Sequence, residues 1–210
     1  MRQLLAWKQH IGLQLAVIYT RYLLGGTFVF ASVVKIKGQR FTMVPGAGSP
    51  FHSPQHFFET MYQSGLYWQF LGVAQLVAGL LLMTQRYALL GALLFLPVIA
   101  NIYVITISYA FGYTHVITGA MLLATLGLLV WDWNRLRVVV NQPVLSLPAA
   151  AVSEHSVWEV VGLVLFLYTA GYRALTDHYN ILLWFGVCVG VGALGLVTFW
   201  VLHRPLKNTT

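Results

Sequence analysis

Charge and cysteine are what this chain has least of. Of its 210 residues 8% are charged, with five Asp and Glu against twelve Lys and Arg, and there is a single cysteine. An ordinary soluble domain carries about 25% charge, so a water-soluble globule is excluded. One cysteine, Cys188, excludes an intrachain disulfide, a CxxC redox pair and a cysteine-based metal site. Also missing are a Walker loop, a GxGxxG opening a helix, an HExxH, a GxSxG and a central pair of histidines of the kind that holds haem b. A self-sufficient catalytic or redox centre is therefore not expected.

What is there is hydrocarbon. The hydrophobic set makes up 59% of the chain, and the mean hydropathy is +0.75. A spanning helix needs about 20 largely apolar residues, and six runs qualify: Ile11 to Val34, Tyr67 to Met83, Ala88 to Ser108, His115 to Trp131, Val157 to Thr176 and Ile181 to Leu202. Membrane β-barrels need short alternating segments, whereas these runs are continuously apolar. The expected fold is all-α and polytopic, with a four-helix transmembrane bundle over residues 1–135, a linker at 136–156 and an appended two-helix hairpin with its tail at 157–210. The connections Thr84 to Tyr87 and Tyr109 to Thr114 are short enough to make helices two, three and four antiparallel neighbours. The basic N-terminal stretch lacks a small-residue cleavage site, so the first run reads as a retained helix.

The excess of +7 sits at the ends of the runs, where Lys and Arg meet head groups and set orientation; nucleic acid is not an expected partner. Arg2, Lys8, Arg86, Arg135, Arg137, Arg204 and Lys207 gather on one side and Lys35, Lys37, Arg40 and Arg173 on the other. Seven against four places both termini in the cytoplasm, with the Lys35, Lys37 and Arg40 group opposing. Between helices one and two, Ser53-Pro54 reads as an N-cap and first helical position, and Phe57, Phe58, Met61 and Tyr62 share one face. An interfacial helix near 54–64 on the outer surface follows, covering the bundle mouth.

An ionisable group in lipid costs about 2.5 to 3.5 kcal/mol at a helix centre. Arg21, near the middle of the first run, is therefore the leading candidate, either as a ligand-facing cation or, structurally, as a head-group anchor that snorkels to the boundary or a clamp between helices. Gln75 lies roughly 12 Å deep in helix two and Asn101 roughly 11 Å deep in helix three, one level in an antiparallel pair. They are expected to join helices or to line a pocket. Gly72 and Gly79 flank Gln75 and flatten that face. Lys35 and His115 would share the outer mouth. His52, His56 and Glu59 fit no metal-binding spacing, and no metal is expected. Arg173 and Asp177 form an i,i+4 pair.

The run Arg21-Tyr-Leu-Leu-Gly25-Gly-Thr-Phe28 continuing to Lys35, then Phe70-Leu-Gly72-Val-Ala-Gln75-Leu-Val-Ala-Gly79-Leu-Leu-Leu-Met83, Arg86 and Gly91-Ala-Leu-Leu, resembles the DoxX-like membrane family over about residues 15 to 135. The resemblance implies a four-helix bundle in a bacterial cytoplasmic membrane, with some relatives linked to thiosulfate:quinone oxidoreduction or to oxidative-stress assemblies. It carries over to Arg21, Lys35 and Gln75. Glu usually stands where this chain has Gln75, and a Gln neither relays a proton nor pairs with Arg21. The resulting expectation is an inner-membrane subunit or anchor of a quinone-linked redox assembly, with Arg21, Lys35, Gln75, Asn101 and His115 around a quinone pocket. It would contact membrane lipids and a membrane or peripheral protein partner, and it is compatible with a homo-oligomer. Two alternatives stand beside it: a carrier or binding protein for a small lipophilic or anionic solute, and a purely structural assembly subunit.

Overall fold

The computed structural model describes residues 8–41, 45–139, 141–143, 152–153 and 155–202. Arg2, Arg204 and Lys207, used above for orientation, and Pro148 of the linker lie outside the described residues. Within them every regular element is a helix: α1 Ile11–Ile36, α2 Pro54–Gln63, α3 Leu66–Met83, α4 Ala88–Ser108, α5 Thr114–Trp131, α6 Trp133–Val139, α7 Ser156–Leu175 and α8 Ile181–Leu202. All but α2 and α6 are long and apolar enough to cross a membrane. Their outward faces expose large apolar side chains such as Leu123, Leu167, Leu182 and Leu194, a surface that hydrocarbon accommodates and water does not. The chain is a multi-pass membrane protein. The short α6 crosses the expected boundary between bundle and linker at 135/136 and carries no apolar run, so hydropathy gives no sign of it.

Helix ends follow local chemistry. After α1, Gly38 takes φ +63° and its amide bonds the Lys35 carbonyl, the left-handed glycine stop that needs no Cβ. At α2 the Ser53 side chain accepts from the His56 amide at 3.2 Å, with Pro54 in the first turn.

Helix α1 is the common neighbour, packing against α3 on one side and α7 on the other. The α1–α3 contact depends on glycine. A Cβ on Gly79 would stand 2.8 Å from the Gly25 carbonyl oxygen and 2.8 Å from Val29, and one on Gly72 would stand 2.9 Å from the Ser32 carbonyl. Small residues let backbones approach in a medium where apolar burial alone does not drive association. Gly162 of α7 does the same against the Met83 carbonyl. Burial then falls into two clusters. One joins Leu24, Phe28, Leu82, Phe95, Ile99 and Leu128 from α1, α3, α4 and α5, with Phe28 and Phe95 stacked. The other joins Ile18, Tyr22, Met83, Trp158, Leu165 and Phe199, seating α7 and α8 against α1 and α3.

Backbone oxygen cannot give way as a side chain does, so Gly79→Val should lower stability by about 1 to 3 kcal/mol through overpacking. Gly186→Ala, where a Cβ meets nothing within 4 Å, should leave it unchanged. Thermal unfolding of both variants in one detergent checks this; equal midpoints for the two would contradict it.

Candidate functional site

The two ends of the bundle treat their buried cations differently. At one end Arg21 donates from Nη2 to Asp132 Oδ2 at 2.6 Å and from Nη1 to Gln85 Oε1 at 3.0 Å, and the two charged side chains are 5% and 8% exposed. Gln85 follows α3 and Asp132 follows α5, so Arg21 is level with the ends of its neighbours. Helix α1 runs on past them: Gln14 accepts from the Val152 and Ser153 amides and donates to the Lys8 carbonyl. This overhang made Arg21 look central in the apolar run. The pair closes the end of the bundle, and Arg21 lines neither cavity described below.

At the opposite end, fourteen residues and about 21 Å along the same helix, Lys35 is buried at 6% exposure. Its Nζ donates to the Ala31 carbonyl at 2.8 Å and lies over the rings of Phe41 and Trp68, 4.7 and 5.2 Å from their centroids. Among the described residues no carboxylate is within ion-pair distance of it. The neighbouring acids are already committed. Glu59 takes Arg40 in a two-point fork at 2.8 and 2.9 Å, and Asp177 takes Lys37 at 2.7 Å. The expected Arg173–Asp177 pair is thus replaced: Arg173 donates to the Thr176 carbonyl and stacks on Tyr179 and Phe30, because Asp177 lies past the helix end and turns toward Lys37.

Lys35 borders a cavity of about 430 Å³ between α1, α3, α4 and α5, whose wall also includes Gln75 and Asn101. Gln75 is 2% exposed and its Oε1 has no partner. No hydrogen bond joins it to Asn101; the two amides share a wall. The rest is mostly apolar, from Phe28, Leu71, Val98 and Ile102 to Met121, with hydroxyls from Thr27, Tyr67 and Thr114 and with those of Thr106 and Thr118 bonded to each other at 2.9 Å. Phe58 and Met61 of α2, with Phe41 and Phe111, roof the lysine end. His115 stands outside: it is exposed, and its Nδ1 contacts the Gly112 carbonyl at 2.8 Å, bracing the turn before α5.

The roof helix is fastened through its own Glu59, which besides Arg40 accepts from the Gly46 amide and Gln63. Arg40 foremost, then Gly46, hold its carboxyl down to about 2. His52 and His56 do not join Glu59, and no group of three or more His, Cys, Asp or Glu gathers among the described residues. A second cavity of about 610 Å³ lies between α1, α7 and α8, lined by Tyr19, Leu23, Trp184 and Cys188 among others, with no charged side chain in its wall. Two of its polar groups are used internally: Tyr19 donates to the Gly192 carbonyl and Trp184 to Thr169.

Comparison of the chain with protein-family models, curated proteins and solved structures finds no match.

Breaking one partner of a buried pair strands the other, at about 3 to 5 kcal/mol. Asp132→Ala should therefore destabilise strongly, and Arg21→Met combined with Asp132→Leu should recover most of the loss; additive thermal shifts would contradict the pairing. For Glu59 the depressed folded value means that its stabilisation is complete above the ordinary carboxylate value of about 4.3 and is lost as pH falls through about 2. Pepsin cleavage between Phe41 and Ser53 should rise steeply between pH 5 and pH 2 in the wild type, while Glu59→Gln should be cut readily at both.

Proposed function

We propose that this protein holds the head of a lipophilic molecule in the cavity beside Lys35, acting as the membrane subunit or anchor of a quinone-linked redox assembly of the kind its resemblance to DoxX-like proteins implies. One observation carries the reading: a buried ammonium with a single backbone acceptor opens onto an apolar cavity of about 430 Å³, within the usual 300 to 1,000 Å³ range for small-molecule sites. A lysine ammonium has three donors, and Ala31 takes one. Quinone carbonyls accept hydrogen bonds, and the apolar wall suits a ring and its tail. The unpartnered Gln75 Oε1 is a buried acceptor of the sort that a ligand hydroxyl satisfies.

A bound quinone would supply two-electron redox chemistry. The chain's part is binding: Lys35 donates, Phe41 and Trp68 fix its ammonium, Gln75 and Asn101 offer amide groups, and α2 excludes water from the lysine end. The Lys and Arg excess supports a cytoplasmic arginine end and a cavity opening near the other face of a bacterial inner membrane.

A decyl-substituted benzoquinone should bind saturably to purified protein, read as quenching of tryptophan fluorescence with Trp68 in the wall. Lys35→Met should weaken binding about tenfold, equal to about 1.4 kcal/mol, and Leu71→Trp, which fills the cavity, should abolish it. Linear, non-saturable quenching in the wild type would overturn the reading.

A further inference from the structure

The cavity beside Lys35 has a charge to neutralise as well as donors to satisfy. An isolated ammonium out of water is costly unless paired; the chain answers buried Arg21 with Asp132 and the half-exposed Arg40 with Glu59, while buried Arg173, like Lys35, has a backbone carbonyl and two aromatic faces but lies outside this cavity's wall. At Lys35 the described residues supply the Ala31 carbonyl and two aromatic faces. The remaining described acids are elsewhere, Asp177 on Lys37 and Glu159 in the first turn of α7, a helix absent from this cavity's wall. Of the chain's five acids, Glu154 lies outside the described residues.

The shape adds the second half. Along α1 the wall runs from Lys35 to Thr27, about 12 Å by helical rise, and charge is confined to its lysine end. A small hydrated anion would pair with Lys35 but leave the deep wall of Phe28, Val98 and Met121 unfilled. An amphiphile with its charge at one end matches both.

We propose that the preferred occupant is a single-chain amphiphile with a monoanionic oxygen head, a medium-chain carboxylate, whose head pairs with Lys35 and whose tail runs toward Met121. This rests on reading the cavity as a ligand site. It goes further in stating that the site selects for one negative charge over a neutral head of the same size.

Dodecanoate, its methyl ester and the decyl benzoquinone are the probes, each titrated calorimetrically into protein purified in a neutral detergent. Dodecanoate should bind at least tenfold more tightly than its ester, which has the same tail and oxygens without the charge. Lys35→Gln should bring the two within twofold by weakening the acid alone, whereas Arg173→Gln, at a cation outside this wall, should leave the ratio intact. Equal affinity for acid and ester in the wild type would overturn the charge selection and, with Leu71→Trp still abolishing binding, would leave the cavity as a site for neutral heads. A preference for acid that survives Lys35→Gln would overturn the role of Lys35. Saturable binding of none of the three would overturn the ligand site itself.

Discussion

Charge in hydrocarbon has to be answered, and the few acids of this chain decide where. Arg21 with Asp132, Lys37 with Asp177 and Arg40 with Glu59 are the ion pairs among the described residues. Each ties two segments distant in sequence. The first closes the arginine end by joining α1 to the end of α5. The second brings the end of α1 to the turn between α7 and α8, and the third fastens the roof helix α2 to the segment after α1. With those acids committed, buried Lys35, like buried Arg173, has no carboxylate partner among the described residues, and of the two it is Lys35 that borders the cavity between α1, α3, α4 and α5.

Helix α1 makes this arrangement possible because it belongs to both halves of the core. Its glycine face lets α3 approach to backbone contact, which brings Gly72 against the Cβ of Lys35 and holds that residue at the cavity wall. Its other face carries Ile18 and Tyr22 into the cluster with Trp158 and Phe199. Tyr22 donates to the Trp158 carbonyl, so the same two turns that hold Arg21 also seat α7. A disturbance at the α1–α3 contact therefore reaches the cavity and the second cluster together.

Much of this was legible in the sequence because hydropathy and local caps are local signals. The six long helices, the Ser53-Pro54 start of α2 and the apolar face formed by Phe58 and Met61 follow from runs and spacing alone. Gln75 and Asn101, counted to one level in the sequence, line the same cavity, and Lys35, expected at its mouth with His115, lines it without that histidine. The depth of Arg21 stayed open between the middle of the run and its boundary because an apolar run does not show where the neighbouring helices stop; α1 overhangs them, and the partners Asp132 and Gln85 lie 111 and 64 residues away in sequence. The Arg40–Glu59 fork was hidden for a similar reason, since helical spacing grouped Glu59 with His56 while the fold paired it across a loop. Asp177 shows the limit of the i,i+4 rule where a helix ends before the second residue.

The central claim is that the cavity beside Lys35 holds a lipophilic ligand through that ammonium. Native mass spectrometry of the protein extracted in a mild neutral detergent tests it most directly, comparing the wild type with Lys35→Gln and Leu71→Trp. The account predicts a small-molecule adduct on the wild-type chain that both variants lose while remaining folded by circular dichroism. A wild-type chain without adduct, or the same adduct at the same occupancy in both variants, would contradict it.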